Sequence, residues 1–168
     1  VGSKLLDSYD GSWVKFITSC PPNLYHNGEG LVEKLVTEFP RFNDVVNFEG
    51  NEVKFYKLAQ LGYWGIYASL GRSEYFEIKD LDRMSAFADY IIPVALRLFR
   101  ITKYVDELED DINEGKEIPV SSQKEIEIRA HSIYATSLLT KEINKLKQQS
   151  EEIPQSILLA LLDKTWAC

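Results

Sequence analysis

The chain has 168 residues, with 19 Lys and Arg against 26 Asp and Glu, for a formal net charge of −7. That length predicts one domain with a real core, and no apolar run reaches the roughly 20 residues that a membrane-spanning helix needs. The acidic balance argues against broad or stable nucleic-acid binding, which rests on neutralising phosphates with Lys and Arg; a pocket for a single phosphate needs only local positive charge and stays open. Val1-Gly2-Ser3-Lys4 does not read as a signal peptide with a basic start and an apolar middle. Cys20 and Cys168 stand at opposite ends and make no disulfide framework. Both features predict a reducing, cytoplasmic setting.

Helical periodicity dominates the chain. Residues 30–39 predict a helix with Leu31, Leu35 and Val36 on one face. Pro40 ends it, because proline disfavours helical geometry in the residue before it. Val46, Phe48, Val53 and Phe55 flank the turn residues Glu49-Gly50-Asn51-Glu52, which predicts a short β-hairpin over residues 45–55. An aromatic helix comes next at 56–70, with Tyr56, Tyr63, Trp64 and Tyr67, and Gly71 is placed to stop it. Asp80 is placed to cap a segment at 81–90, Pro93 interrupts that pattern, and residues 94–99 resume it. Residues 104–113 predict an acidic helix ended by Gly115. Ser122-Gln123-Lys124-Glu125 fits a capping box, opening the longest helix at 123–148. Pro154 suits the first turn of a last helix at 154–164. The expected architecture is one mainly α domain over residues 1–168, carrying one small hairpin.

Asp89 is the most informative position. It lies in the otherwise apolar stretch Ala86-Phe87-Ala88-Asp89-Tyr90-Ile91-Ile92-Pro93, where a buried carboxylate is costly without partners. In a continuous helix the Pro93 ring would clash with the Asp89 carbonyl, so the helix breaks or restarts between them. That puts Asp89 near a helix N-terminus, where free N–H groups and the dipole favour negative charge. Such a carboxylate can stabilise an oxocarbenium-like sugar or activate water; it can equally be a plain helix cap. Lys57, where the hairpin meets the aromatic helix, can bind a phosphate, pair with Asp89, or simply be solvated. The aromatic side chains, Phe87 included, can stack on a flat base or form core. Arg97 can hold a phosphate or make a surface ion pair, and Glu125 and Arg129 are spaced as an i, i+4 pair. His26 and His131 have no neighbours that read as a zinc site, and there is no Walker-type loop and no serine in a nucleophile-elbow setting.

Several segments, taken in order, resemble the queuosine salvage family. They are Phe39-Pro40-Arg41-Phe42-Asn43-Asp44, Phe48-Glu49-Gly50, Val53-Lys54-Phe55-Tyr56-Lys57-Leu58-Ala59-Gln60, Phe87-Ala88-Asp89-Tyr90 with Pro93, Tyr104-Val105-Asp106-Glu107-Leu108, and Glu125-Ile126-Glu127-Ile128-Arg129. The resemblance implies an all-α fold similar to helix-hairpin-helix DNA glycosylases. It implies hydrolysis of the N-glycosidic bond of queuosine 5′-phosphate, giving queuine and ribose 5-phosphate. It makes Asp89 the nucleophile or transition-state stabiliser, packs Phe87 on the substrate base, and sets Lys57 in or beside the pocket. No metal or organic cofactor is implied.

There are departures from the family pattern. Ile91 and Val94 stand where the family motif carries Arg and Gln, and residues 160–165 carry only Asp163, out of register with the family's base-binding segment. The resemblance covers the C-terminal half of the family, so the expectation includes a second chain supplying the N-terminal half. Two other readings stay open: a non-catalytic relative acting as a structural or interaction module, and a nucleic-acid base-excision glycosylase, which the acidic balance disfavours.

Overall fold

A computed structural model of the chain describes residues 1–70 and 76–146. It is mainly helical with one two-stranded sheet, as the sequence predicts. The predicted terminator Gly71, the helix at 154–164 and Cys168 lie outside the described residues. The chain divides into two compact units, one of Val1–Val45 with Lys54–Met84 and one of Val46–Val53 with Ser85–Cys168.

The first unit opens with two short helices that the sequence reading missed, α1 (Gly2–Tyr9) and α2 (Trp13–Thr18). Asp10 and Gly11 reverse the chain between them in the left-handed region, at φ 52° and 71°. Ser12 then caps α2 by accepting the Lys15 N–H at 3.3 Å. Phe16, fully buried, stands at the centre of an aromatic cluster, edge-on to Tyr9, Trp13 and Phe39. Helix α3 (Leu31–Glu38) buries Leu31, Leu35 and Val36, the stripe read from the sequence, together with Val32, and a 3₁₀ turn at Pro40–Phe42 ends it.

Gly30, the N-cap of α3, is held by close backbone. A Cβ there would sit 2.5 Å from the Leu24 carbonyl oxygen and 2.7 Å from the His26 nitrogen. The Glu33 carboxylate closes the same loop by accepting the N–H groups of Gly30 at 3.0 Å and His26 at 2.6 Å. Burial alone would push the Glu33 carboxyl up, but these backbone donors hold it below the usual carboxylate range. Gly30→Ala is therefore expected to cost more than about 2 kcal/mol, since the clash is with main chain that no rotamer relieves. A urea melt reads this directly, and a loss under about 0.5 kcal/mol would mean that the 24–30 loop can shift freely.

Strands β1 (Val45–Phe48) and β2 (Asn51–Lys54) form the predicted hairpin. Glu49 and Gly50 both have positive φ, at 50° and 81°. This is the backbone of a tight turn matched to strand twist, and a glycine at the second position suits it. Helix α4 (Lys57–Leu70) packs on α3 and buries Ala59, Gln60 and Tyr63. The Tyr63 hydroxyl donates to the Leu31 carbonyl at 2.9 Å, and burial pushes that phenol well above its usual range. Tyr63 is thus core, one of the two roles its sequence setting allows.

The expected segment at 81–90 is corrected. Only Leu81–Arg83 winds, as a 3₁₀ turn, and the chain then runs irregularly to Tyr90. Asp80 does not cap this segment. Its buried carboxylate reaches back 56 residues to accept the Leu24 N–H at 2.5 Å, and also accepts from Tyr25 at 3.1 Å.

In the second unit, helix α5 (Ile91–Leu98) packs on the long α7 (Gln123–Leu146). Ala86, Ile92 and Leu96 form its apolar centre, with Ile133 and Ala135 of α7 against them. Pro93 does not interrupt a helix but sits in the first turn of one, where its missing N–H costs nothing. Helix α6 (Asp106–Asn113) has Asp106, Glu107 and Glu109 in its first turn, and Gly115 follows its end at φ 71°. Lys124 of α7 is bonded to Glu107 at 2.8 Å and Asp111 at 2.6 Å of α6. The capping box forms in a shifted version: Ser122 Oγ accepts from the Glu125 N–H at 3.3 Å, while Glu125 reaches back to the Ser121 N–H at 3.2 Å. No described helix is long and apolar enough to cross a membrane.

Candidate functional site

Asp89 takes the position that the break before Pro93 predicts. It precedes α5, and its Oδ1 accepts the N–H groups of Ile91 at 2.9 Å and Ile92 at 3.3 Å. These are two of the donors that the first turn of a helix leaves without intrahelical partners. The aspartate is partly buried, so its charge sits beside the positive end of the helix dipole rather than in bulk water. Its own N–H donates to the Phe87 carbonyl at 2.7 Å, which folds Phe87-Ala88-Asp89 into a tight turn. Phe87 and Asp89 are therefore brought together. Phe87 is only 2% exposed, and Ala86 and Ala88 beside it are buried as well.

Arg129 of α7 supports this turn. Its Nε donates to the Ala88 carbonyl at 3.2 Å, and its Nη1 lies 3.5 Å from Glu125 Oε1. The sequence marked Glu125 and Arg129 as a pair but gave no sign that the arginine also reaches a carbonyl 41 residues earlier.

Lys57 lies in the first unit, at the start of α4. Its N–H donates to Asp44 Oδ2 at 3.4 Å. The Asp44 carbonyl accepts from Phe55 at 2.9 Å and from Tyr56 at 3.3 Å. Tyr56 is held at φ +50°, a conformation that a bulky residue adopts only under constraint. The buried Gln60 side chain adds a bond to the Phe55 carbonyl at 3.0 Å. The Phe55-Tyr56-Lys57 segment is thus built to a definite shape, and the strain at Tyr56 could not be read from the sequence. Trp64 and Tyr67, also on α4, stack at 5.9 Å with a 37° tilt.

Arg97 takes the ion-pair role. It bonds to Glu109 and lies over the Tyr104 ring at 5.3 Å. Two concavities are formed within single units. One of about 300 Å³ in the first unit is walled by Trp13, Ile17, Leu35, Phe42 and Ile66. One of about 380 Å³ in the second is lined by Thr102, Tyr104, Leu108, Glu127 and His131. Neither includes Asp89, Phe87 or Lys57. Among the described residues no group of three His, Cys, Asp or Glu is placed to hold a metal ion.

Comparison with known proteins bears on the same segments. The family described as "Queuosine salvage protein" matches residues 1–165. Among individual relatives, the "Queuosine 5'-phosphate N-glycosylase/hydrolase" of Sphaerobacter thermophilus is 32% identical over 142 residues, which is 84% of this chain and 43% of that protein. The protein of the same name from Dictyostelium discoideum is 34% identical over 149 residues, 86% of this chain and 44% of its own length. The Mus musculus protein is 29% identical over 165 residues, covering 96% and 47%. The chain spans less than half the length of these curated relatives. With nearly all of its residues matched, and with the Phe-Ala-Asp-Tyr turn set at the start of α5, the chain belongs to the queuosine salvage protein family.

Proposed function

We propose that this chain is the catalytic-side half of an N-glycosylase that hydrolyses queuosine 5′-phosphate to queuine and ribose 5-phosphate. The observation that carries the reading is Asp89, a partly buried carboxylate fixed by two N–H groups at the N-terminus of α5 within the family's Phe-Ala-Asp-Tyr segment. Cleavage of the N-glycosidic bond builds positive charge on the ribose, and a fixed carboxylate opposes that charge. In this reading Asp89 stabilises the oxocarbenium-like centre or attacks it as a nucleophile, and Phe87 packs on the base. Water is the one co-reactant. No metal or organic cofactor enters the proposal. The free Cys20 thiol fits work in a reducing, cytoplasmic compartment.

The proposal includes a second chain or segment supplying the family's N-terminal half. Tyr90, Val94 and Leu98 recur every fourth residue, and all are exposed, at 78%, 55% and 66%. An apolar helical stripe of this kind next to a candidate catalytic residue marks a surface meant to be covered. The test is queuine release from queuosine 5′-phosphate by the purified chain, alone and mixed with the complementary half of a family member. Release is expected only, or mainly, in the mixture. Equal rates in both would remove the second half from the reading. No release in either would favour a non-catalytic relative, the reading to which apolar Ile91 and Val94 already lend weight.

A further inference from the structure

We propose that Arg129, oriented by Glu125, is a positioning residue for Asp89; this rests on the reading of Asp89 as the catalytic carboxylate. Residues 84–90 have no helix or strand to fix them, yet Asp89 must present its carboxylate in one place. Its Oδ1 is bound to Ile91 and Ile92 on the downstream side. On the upstream side the turn depends on the carbonyl of buried Ala88 and on the bond from Asp89 N–H to Phe87 O. A buried carbonyl needs a donor, and outside regular structure a side chain can supply it. Arg129 Nε does so at 3.2 Å.

The guanidinium suits this task because its donors are rigidly arranged on one plane. One edge meets the Ala88 carbonyl while another faces Glu125 Oε1 at 3.5 Å. Glu125 is itself tied down: its other oxygen accepts the Ser121 N–H at 3.2 Å, and its own N–H donates to Ser122 Oγ at 3.3 Å. A line of bonds therefore runs from the start of α7, through Glu125 and Arg129, to the peptide that carries Asp89. The Arg129 side chain is 13% exposed and that of Glu125 24%. This is not the solvated surface pair that i, i+4 spacing usually signals, whose contribution would be small. What the pair does is set where the Asp89 carboxylate stands relative to the first turn of α5.

The test uses Arg129→Gln and Glu125→Gln in the longest natural form of the protein, with any partner half present. Positioning predicts that kcat for queuine release falls about tenfold to a hundredfold in Arg129→Gln, as for other sub-ångström misplacements of a reacting group. KM stays within about twofold, because the ground-state contacts are untouched. Glu125→Gln gives a smaller loss in the same sense and serves where Arg129→Gln fails to fold. Amide hydrogen exchange is the second measurement. Ile91 and Ile92 report whether Asp89 still caps them, and their exchange should quicken about tenfold while the α7 amides stay protected. Unchanged kcat together with unchanged exchange at Ile91 and Ile92 overturns the proposal. So does a uniform loss of protection, which would make Arg129 merely structural. The exchange result stands even if the wild type releases no queuine, so failure of the positioning role and failure of the enzymatic reading are told apart.

Discussion

Asp89→Asn is expected to lower kcat for queuine release by about 10² to 10⁴, with little change in KM or in melting temperature. The substitution separates the two jobs that Asp89 can hold. As a cap, it accepts hydrogen bonds from Ile91 and Ile92, and asparagine caps helices about as well as aspartate. The fold and the shape of the turn should therefore survive. As a catalyst, its negative charge matters more as the glycosidic bond breaks than it does in the bound substrate. Interactions that strengthen only in the transition state act on kcat rather than on KM. The neutral amide keeps the geometry and removes the charge, so the rate should fall alone. A variant with wild-type turnover would leave Asp89 as a cap and nothing more. Measuring free queuine by chromatography, with the partner half present, decides between the two.

Phe16→Ala is expected to be the most damaging core change in the first unit, costing about 3 to 5 kcal/mol of stability. Phe16 has no exposed surface, and its ring centroid lies 5.1 Å from that of Tyr9, 5.2 Å from Phe39 and 5.8 Å from Trp13. All three contacts are edge-to-face, the arrangement in which the positive ring edge meets the negative ring face, each adding about 0.5 to 1.5 kcal/mol beyond burial. Truncation loses those contacts and leaves a cavity bounded by rings that cannot easily close on it. Since whole domains are stable by only about 5 to 15 kcal/mol, the variant should be close to unfolded at body temperature. A urea melt should show a lower midpoint with an unchanged slope. Val14→Ser, on the exposed side of the same helix, is the control and should change stability by less than about 0.5 kcal/mol. A loss under about 1 kcal/mol in Phe16→Ala would mean that the cluster repacks around the missing ring.

The elements legible in the sequence are those whose cause is local. The stripe of α3, the Glu49-Gly50 turn, the acidic first turn of α6, its Gly115 stop and the start of α7 each depend on residues within a few positions of one another. So does the break ahead of Pro93, because the clash between a proline ring and the carbonyl four residues before it needs no tertiary partner. From that break alone Asp89 could be placed at a helix start. Helices α1 and α2 show no stripe in the sequence because each buries a single apolar residue, Leu5 and Phe16, whereas α3, no longer than α1, buries four. The helix expected at 81–90 failed for a different reason. Met84, Ala86, Phe87 and Ala88 are all buried, and near-consecutive burial cannot be met by a helix that turns one face inward. Tertiary structure alone decided the supports: Asp80 reaching back to Leu24, Asp44 holding the Lys57 N–H, and Arg129 holding Ala88. In each a backbone N–H or C=O that no helix or strand bond satisfies takes its hydrogen-bond partner from a side chain distant in sequence. The side chain that answers stands 56, 13 or 41 residues away. No pattern in a linear sequence records such a pairing, because it exists only once the chain has folded.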